Sequence, residues 1–598
     1  MSVPTNNPRS GRIARRTRHP HEPMLLVVVG MLLFPLLSGC LRLPESGPLV
    51  TTDRVGPGAT DVGPYIDPAP PQPGETPAEI VKHFLDAMMA SSLQTSVARE
   101  FLTREAQANW DPERSTITYV DATQPSGSST VGLAVTGASR LDASGAWLGS
   151  AEVSSLSFPM VVQDAEWRIA EAPDALIVPQ RWFELRFRQV ALHFFDPTAE
   201  ILVPEPVYVP RGEQLATSLV RGLLAGPSGA DAELSRTFLP AGARLELSVP
   251  ISDDGVAEVT LEGNPSALAP EAAPMALAQL AWTLRQDPEV RSFRLMIGDE
   301  RVSLPQGAAQ LSVDYGADYD PAVVSASSQI FGLRDGLVAP ATTTEAALTG
   351  PFSHTRYGLR DFSVNLTASR VAGVAADGRE VFVADADDAT STPQRVLDAG
   401  QDLAKPVWDF ADRLWLLDRR TGGAAVSVVV GEIRAPVSIP GISAESVTSF
   451  LVSRDGSRFV AVIDRGASDA IVVSRILHDD EGNVVGATRG RVIAEGTPES
   501  RLRVSAIGWR SAIVLTLAAR VTKDRDEILF LSIDGGPNNL EAFGATRRML
   551  PERVLGLTTS PAPSTGVLVS TESGVQDPFD PDRAAEVDPE IEALTYVG

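Results

Sequence analysis

A single cysteine among 598 residues, Cys40, sets the terms on which this chain can fold. No disulfide can form within it, and no thiolate cage can hold zinc or an iron–sulfur cluster, so its cores must hold by packing alone. Apolar residues make up 43% of the chain, enough for several cores and too much for one, and about three folded domains are expected. The formal charge is −25, and residues 1–39 carry five arginines against one glutamate, so the part beyond them is more acidic than the whole. Such a body repels nucleic acid and anionic headgroups. Its cations are almost all arginine, with lysine only at Lys82, Lys405 and Lys523.

The first forty residues read as a targeting segment. Arg9, Arg12, Arg15, Arg16 and Arg18 precede an apolar run from Met24 to Leu37, the length of a signal-peptide core and short of the ~20 residues a spanning helix needs. Arg15-Arg16 lack the apolar continuation usual for twin-arginine export, which favours the general secretory route. The run ends in Leu37-Ser38-Gly39-Cys40, which resembles the bacterial lipobox. That resemblance implies cleavage of the signal peptide 1–39 and conversion of Cys40 to an N-palmitoyl, S-diacylglycerol cysteine on the extracytoplasmic face of the cell membrane.

Residues 40–75 are dense in proline and glycine without apolar periodicity, and predict a semi-extended tether. At Thr76 a helix is expected: Pro77 stands at its first position, Glu79 completes a capping box, and Ile80, Val81, Phe84, Leu85 and Met88 share a face. Strand-length segments follow at 115–120, 131–135, 151–159 and 166–170. Residues 76–187 are therefore read as an α+β domain, a helical layer on a curved antiparallel sheet, similar to NTF2-like folds.

From 188 to 310 the pattern gives strands at 190–195 and 202–209, a helix through Leu215, Leu219 and Leu223 stopped by Gly226-Pro227, strands at 244–249 and 256–261, a helix near 275–285 and a strand at 292–297. The order β-β-α-β-β-α-β indicates an α+β sandwich. The run from Leu219 to Pro227, then Leu239-Pro240-Ala241-Gly242, Ala281-Trp282-Thr283-Leu284 and Val290 to Leu295, resembles the GerMN domain of spore germination proteins.

Residues 311–576 are almost wholly strand-like. The segments 375–383 and 452–460 share a pattern of apolar strands about an Asp-Gly turn, and looser copies at 409–417, 506–517 and 556–571 follow at irregular intervals. The spacing approaches that of propeller blades, and a β-propeller of six or seven blades is expected. Residues 577–598 read as an acidic, solvated tail. Lipobox, tether, α+β domain, GerMN unit and propeller, in that order, resemble the actinobacterial lipoprotein LpqB family. The resemblance implies a partner, the extracytoplasmic domain of the sensor histidine kinase MtrB, acting with MtrA in envelope homeostasis and division.

Few residues suggest chemistry. Beyond the leader the histidines His83, His193, His354 and His478 stand apart, with no zinc-binding pair, nucleophile elbow or phosphate loop, so no cofactor, metal or catalytic residue is expected. The acidic groups Asp385/Asp387/Asp388 and Asp479/Asp480/Glu481 miss the spacing of a calcium loop. Trp408, Trp415 and Trp509, like Trp110, Trp147, Trp167 and Trp182, are expected to fill cores. A non-catalytic, membrane-anchored accessory protein is the leading expectation. The alternative is a cell-wall glycan-binding protein or hydrolase with carboxylates in the propeller funnel.

Overall fold

A computed structural model describes residues 68–598 apart from 91–94, 213, 228–233, 305–306, 324, 343–346, 498–499, 538–546, 564 and 581. Helix α1 (Pro77–Met88) begins where its capping box places it: the Thr76 hydroxyl accepts from the Glu79 amide, and the Glu79 carboxylate accepts from the Thr76 amide at 2.9 Å. Its apolar face, with Phe84 against Trp110 and Phe158, covers two small sheets and builds the first core. The sheets are not purely antiparallel, because Ser115–Tyr119 pairs in parallel with Leu176–Pro179. The last residues before α1 are already docked, since the Gly74 amide donates to Glu166 at 3.0 Å.

The second unit follows the expected element order. Strands β1 (Phe187–Phe195) and β2 (Leu202–Pro210) form a nine-residue-per-strand hairpin. Helix α2 (Leu215–Ala225) and helix α3 (Ala273–Leu284) pack against that hairpin and each other. A second sheet holds β3 (Val256–Glu262) and β4 (Ser292–Ile297), parallel and joined through α3. Leu219, Leu277, Leu280, Phe293 and Leu295 are among the side chains of the shared core.

Beyond residue 329 six antiparallel sheets of three to five strands follow one another. Their innermost strands, Leu359–Val364, Val407–Trp408, Val447–Val452, Val504–Ser511, Gly556–Thr558 and Glu592–Tyr596, neighbour one another in a closed ring. This is a six-bladed propeller, with one apolar cluster between each pair of adjacent blades. Trp408, Trp415 and Trp509 fill three successive seams, as a tryptophan in a blade should.

Two expectations need correction. The Asp-Gly turns are not equivalent: Asp377-Gly378 joins the second and third strands of blade 2, whereas Asp455-Gly456 joins the first and second strands of blade 4. Both satisfy the same local chemistry, the aspartate accepting the amide two residues on while glycine takes φ +70°. The match was therefore between turns, not between blade positions. The 577–598 segment is also no solvated tail. Asp577 is buried and receives the Val567 and Phe579 amides, and Glu592–Tyr596 pairs with Ile330–Arg334 as the innermost strand of blade 1. Gly332 makes the closure possible: a Cβ there would stand 2.1 Å from Ile591 Cγ2 and 2.9 Å from the Glu592 carbonyl. An acidic composition concealed a strand whose Leu594 and Tyr596 side chains are buried.

Candidate functional site

The predicted lipidation site, Cys40 with Leu37, Ser38 and Gly39, lies outside the described residues, as does the signal peptide. Among the described residues no helix is long and apolar enough to cross a membrane, and no group of three or more candidate metal ligands occurs. The acidic clusters close turns: Asp388 accepts the Thr390 amide and hydroxyl, and Asp479 accepts the Glu481 and Asn483 amides. His83 bonds Glu75 at 2.6 Å and His354 meets Ser353, while His193 and His478 are sequestered. Burial, with Arg285 adding repulsion, pulls His193 down to about 3; burial, with Arg413 adding to it, does the same for His478.

The propeller axis encloses a cavity of about 300 Å³ lined by the inner strands. Arg454, on the first turn of blade 4, reaches into it and donates to the Ala322 carbonyl, the Ser560 hydroxyl and the Val597 carbonyl at 3.0, 3.0 and 2.8 Å. Lys405 lines the cavity as well, and its Nζ donates to the Thr595 hydroxyl at 2.7 Å. Burial pulls Lys405 down and pushes Asp361 up, and each is partly restored by the other's charge. Asp361 is the one carboxylate side chain among the described residues that line the cavity, which also reaches Gly598.

Sequence reasoning missed a charged junction that ties the second unit to the propeller. Glu205 on β2 takes Arg458 at 2.9 Å through one oxygen and Arg475 through the other. These arginines are register partners on neighbouring strands of blade 4. Burial opposes charge on Glu205, but the two guanidinium groups prevail and hold its carboxyl below the ordinary glutamate value. Arg458 also donates to the Pro204 carbonyl at 2.7 Å. Beside this junction Tyr208 donates to the Pro537 carbonyl at 3.0 Å, and Gln189 donates to Ser532 at 2.5 Å. The first domain joins through Trp147, whose ring lies 5.9 Å from Tyr208.

Three family models match in succession: "Lipoprotein LpqB, N-terminal domain" over residues 70–184, "Sporulation and spore germination" over 191–303 and "Lipoprotein LpqB beta-propeller domain" over 335–562. Lipoprotein LpqB of Thermobifida fusca is 28% identical over 86% of this chain and 90% of its own. Lipoprotein LpqB of Streptomyces coelicolor is 24% identical over 87% and 89%. Among solved structures, the first GerMN domain of the Bacillus subtilis sporulation protein GerM is 21% identical, covering 21% of this chain and 94% of its own with a TM-score of 0.18. With these domains in this order, and relatives of that name matched along most of their length, the chain belongs to the LpqB lipoprotein family.

Proposed function

We propose that this is an extracytoplasmic accessory protein, held at the outer face of the cell membrane by lipid on Cys40, that binds the extracytoplasmic domain of the sensor histidine kinase MtrB and modulates its output. The reading rests on one observation: a lone cysteine closing a lipobox stands upstream of a body that matches lipoproteins over most of its length. Anchoring both partners to one bilayer raises their effective concentration, so a weak contact suffices. The Glu205 junction supports the same reading, because it joins the GerMN unit and propeller into one surface on which a partner can register.

In-cell photocrosslinking of the lipidated protein, followed by identification of the captured molecule, tests the proposal. Capture of the kinase, lost in a Cys40→Ser variant that leaves the membrane fraction, is the expected result. Capture of wall polymer alone, or a Cys40→Ser protein that stays membrane-bound, would refute it.

A further inference from the structure

A second cavity, of about 420 Å³, opens where the three folded units meet. Trp147 and Leu148 of the first domain, Pro206 and Val207 of β2, and Val473 and Ile533 of blades 4 and 5 give it apolar walls. Four guanidinium groups face the same space: Arg458, Arg475, Arg489 and Arg491. The first two are engaged by Glu205. Arg491 donates through one nitrogen to the Asp534 carbonyl at 2.8 Å, and Arg489 is exposed with no side-chain partner among the described residues. Among the described residues Glu205 and Asp534 are the only carboxylates in the lining, and Asp534 already accepts Ser532 and the Gly536 amide.

The described lining thus carries two more arginines than carboxylates, in a chain whose net charge is −25. Glu205 accounts for Arg458 and Arg475, which leaves the Arg489 and Arg491 guanidinium groups without a carboxylate partner among the described residues, and low-dielectric walls concentrate their field. The volume is that of a site for a small molecule, and the wall is mostly apolar with convergent polar groups. We propose that this junction cleft binds a phosphate-bearing ligand with an apolar or sugar portion, its phosphate held by Arg489 and Arg491 and the remainder laid against Trp147 and Leu148. Planar guanidinium groups suit a phosphate's oxygens, and both are accessible without disturbing the Glu205 junction. Because the site is built from all three units, a bound ligand would also strengthen their association.

The same phosphate chemistry could arrive as a free sugar phosphate or as a lipid headgroup, and two soluble probes separate these. The lipidated full chain, in nanodiscs of neutral lipid, is titrated with glucose 1-phosphate and with dihexanoylphosphatidylglycerol while Trp fluorescence and heat are recorded. Saturable binding of either probe, weakened roughly 10-fold or more in the R489Q/R491Q double variant and unchanged in an R301Q control, is expected; which probe binds identifies the source. Both arginines are exposed and Arg491 gives up only its bond to the Asp534 carbonyl, so the double variant should stay folded with a slightly lowered melting temperature. No saturable binding of either probe up to about 1 mM, or equal binding by the double variant, would overturn the proposal.

Discussion

Replacing Glu205 by alanine should loosen the second unit from the propeller while leaving both folded. The side chains of Arg458 and Arg475 are only 3% and 7% exposed, and the carboxylate between them 22%. Removing it takes the Glu205 counter-charge from both guanidinium groups and leaves Arg458 with Asp455, 3.9 Å away; breaking a buried pair typically costs about 3–5 kcal/mol. Arg458 keeps the Pro204 carbonyl and Arg475 keeps the Ser235 hydroxyl, which places the expected loss near the lower end, at about 3 kcal/mol. Urea unfolding followed by fluorescence, with limited proteolysis of the β1–β2 hairpin, reads the effect as an earlier transition and a newly cleavable connection. The acid limb adds a check. A carboxyl held below its unfolded value contributes stability above that value, about pH 4.3, and loses it as pH falls through the folded one. The parent should therefore lose this increment below about pH 4.3, and the variant should not. Combining E205L with R458M and R475M should recover part of the loss, because both guanidinium groups leave with the carboxylate, while Asp455 gives up the Arg458 charge 3.9 Å away. A Glu205→Ala protein within about 0.5 kcal/mol of the parent, or one that the added arginine changes do not rescue, would refute the electrostatic account.

Three further outcomes follow from the packing. His193 is pulled below its unfolded value, so the unfolded chain takes up its proton first: its contribution to stability should fall by about 1.4 kcal/mol per pH unit from about pH 6.5 down to about 3, and H193Q should remove that share of the slope in thermal melts while the equal share of His478 stays. Gly332→Val forces a side chain into Ile591 and the Glu592 carbonyl, and should cost about 3 kcal/mol or more, read as a lowered melting temperature and faster amide exchange in the Glu592–Tyr596 strand. Thr76→Ala removes the cap of α1 and should cost about 1 kcal/mol in chemical denaturation, with the propeller transition unmoved.

What the sequence declared was whatever is encoded within a few residues. The Thr76-Pro77-Glu79 signal located α1, and the order of periodic segments from 187 to 297 gave the α+β unit, because caps and apolar spacing act locally. Blade phase was not local. Asp377-Gly378 and Asp455-Gly456 are the same turn at different places in their sheets, and only pairing distinguishes them. Glu592–Tyr596 was hidden by acidic neighbours such as Asp588, which accepts the Glu590 amide and pairs with Arg334 across the chain. The junction left no trace at all: Glu205 meets arginines 253 and 270 residues away, in a chain where arginine is too common to mark a position.

The strand that shuts the propeller imposes an order on its birth. On the proposed secretory route Ile330–Arg334 emerges across the membrane more than two hundred and fifty residues before the segment that lies beside it. Until then blades 2 to 6 can stack only as an open arc, with the seam between the sixth and first blades unfilled and the edge of the first bare. Such an edge is a template for a stray strand from another molecule. The two α+β units need nothing from that distant segment and can form earlier, leaving a half-built ring that speed or an escort would have to protect.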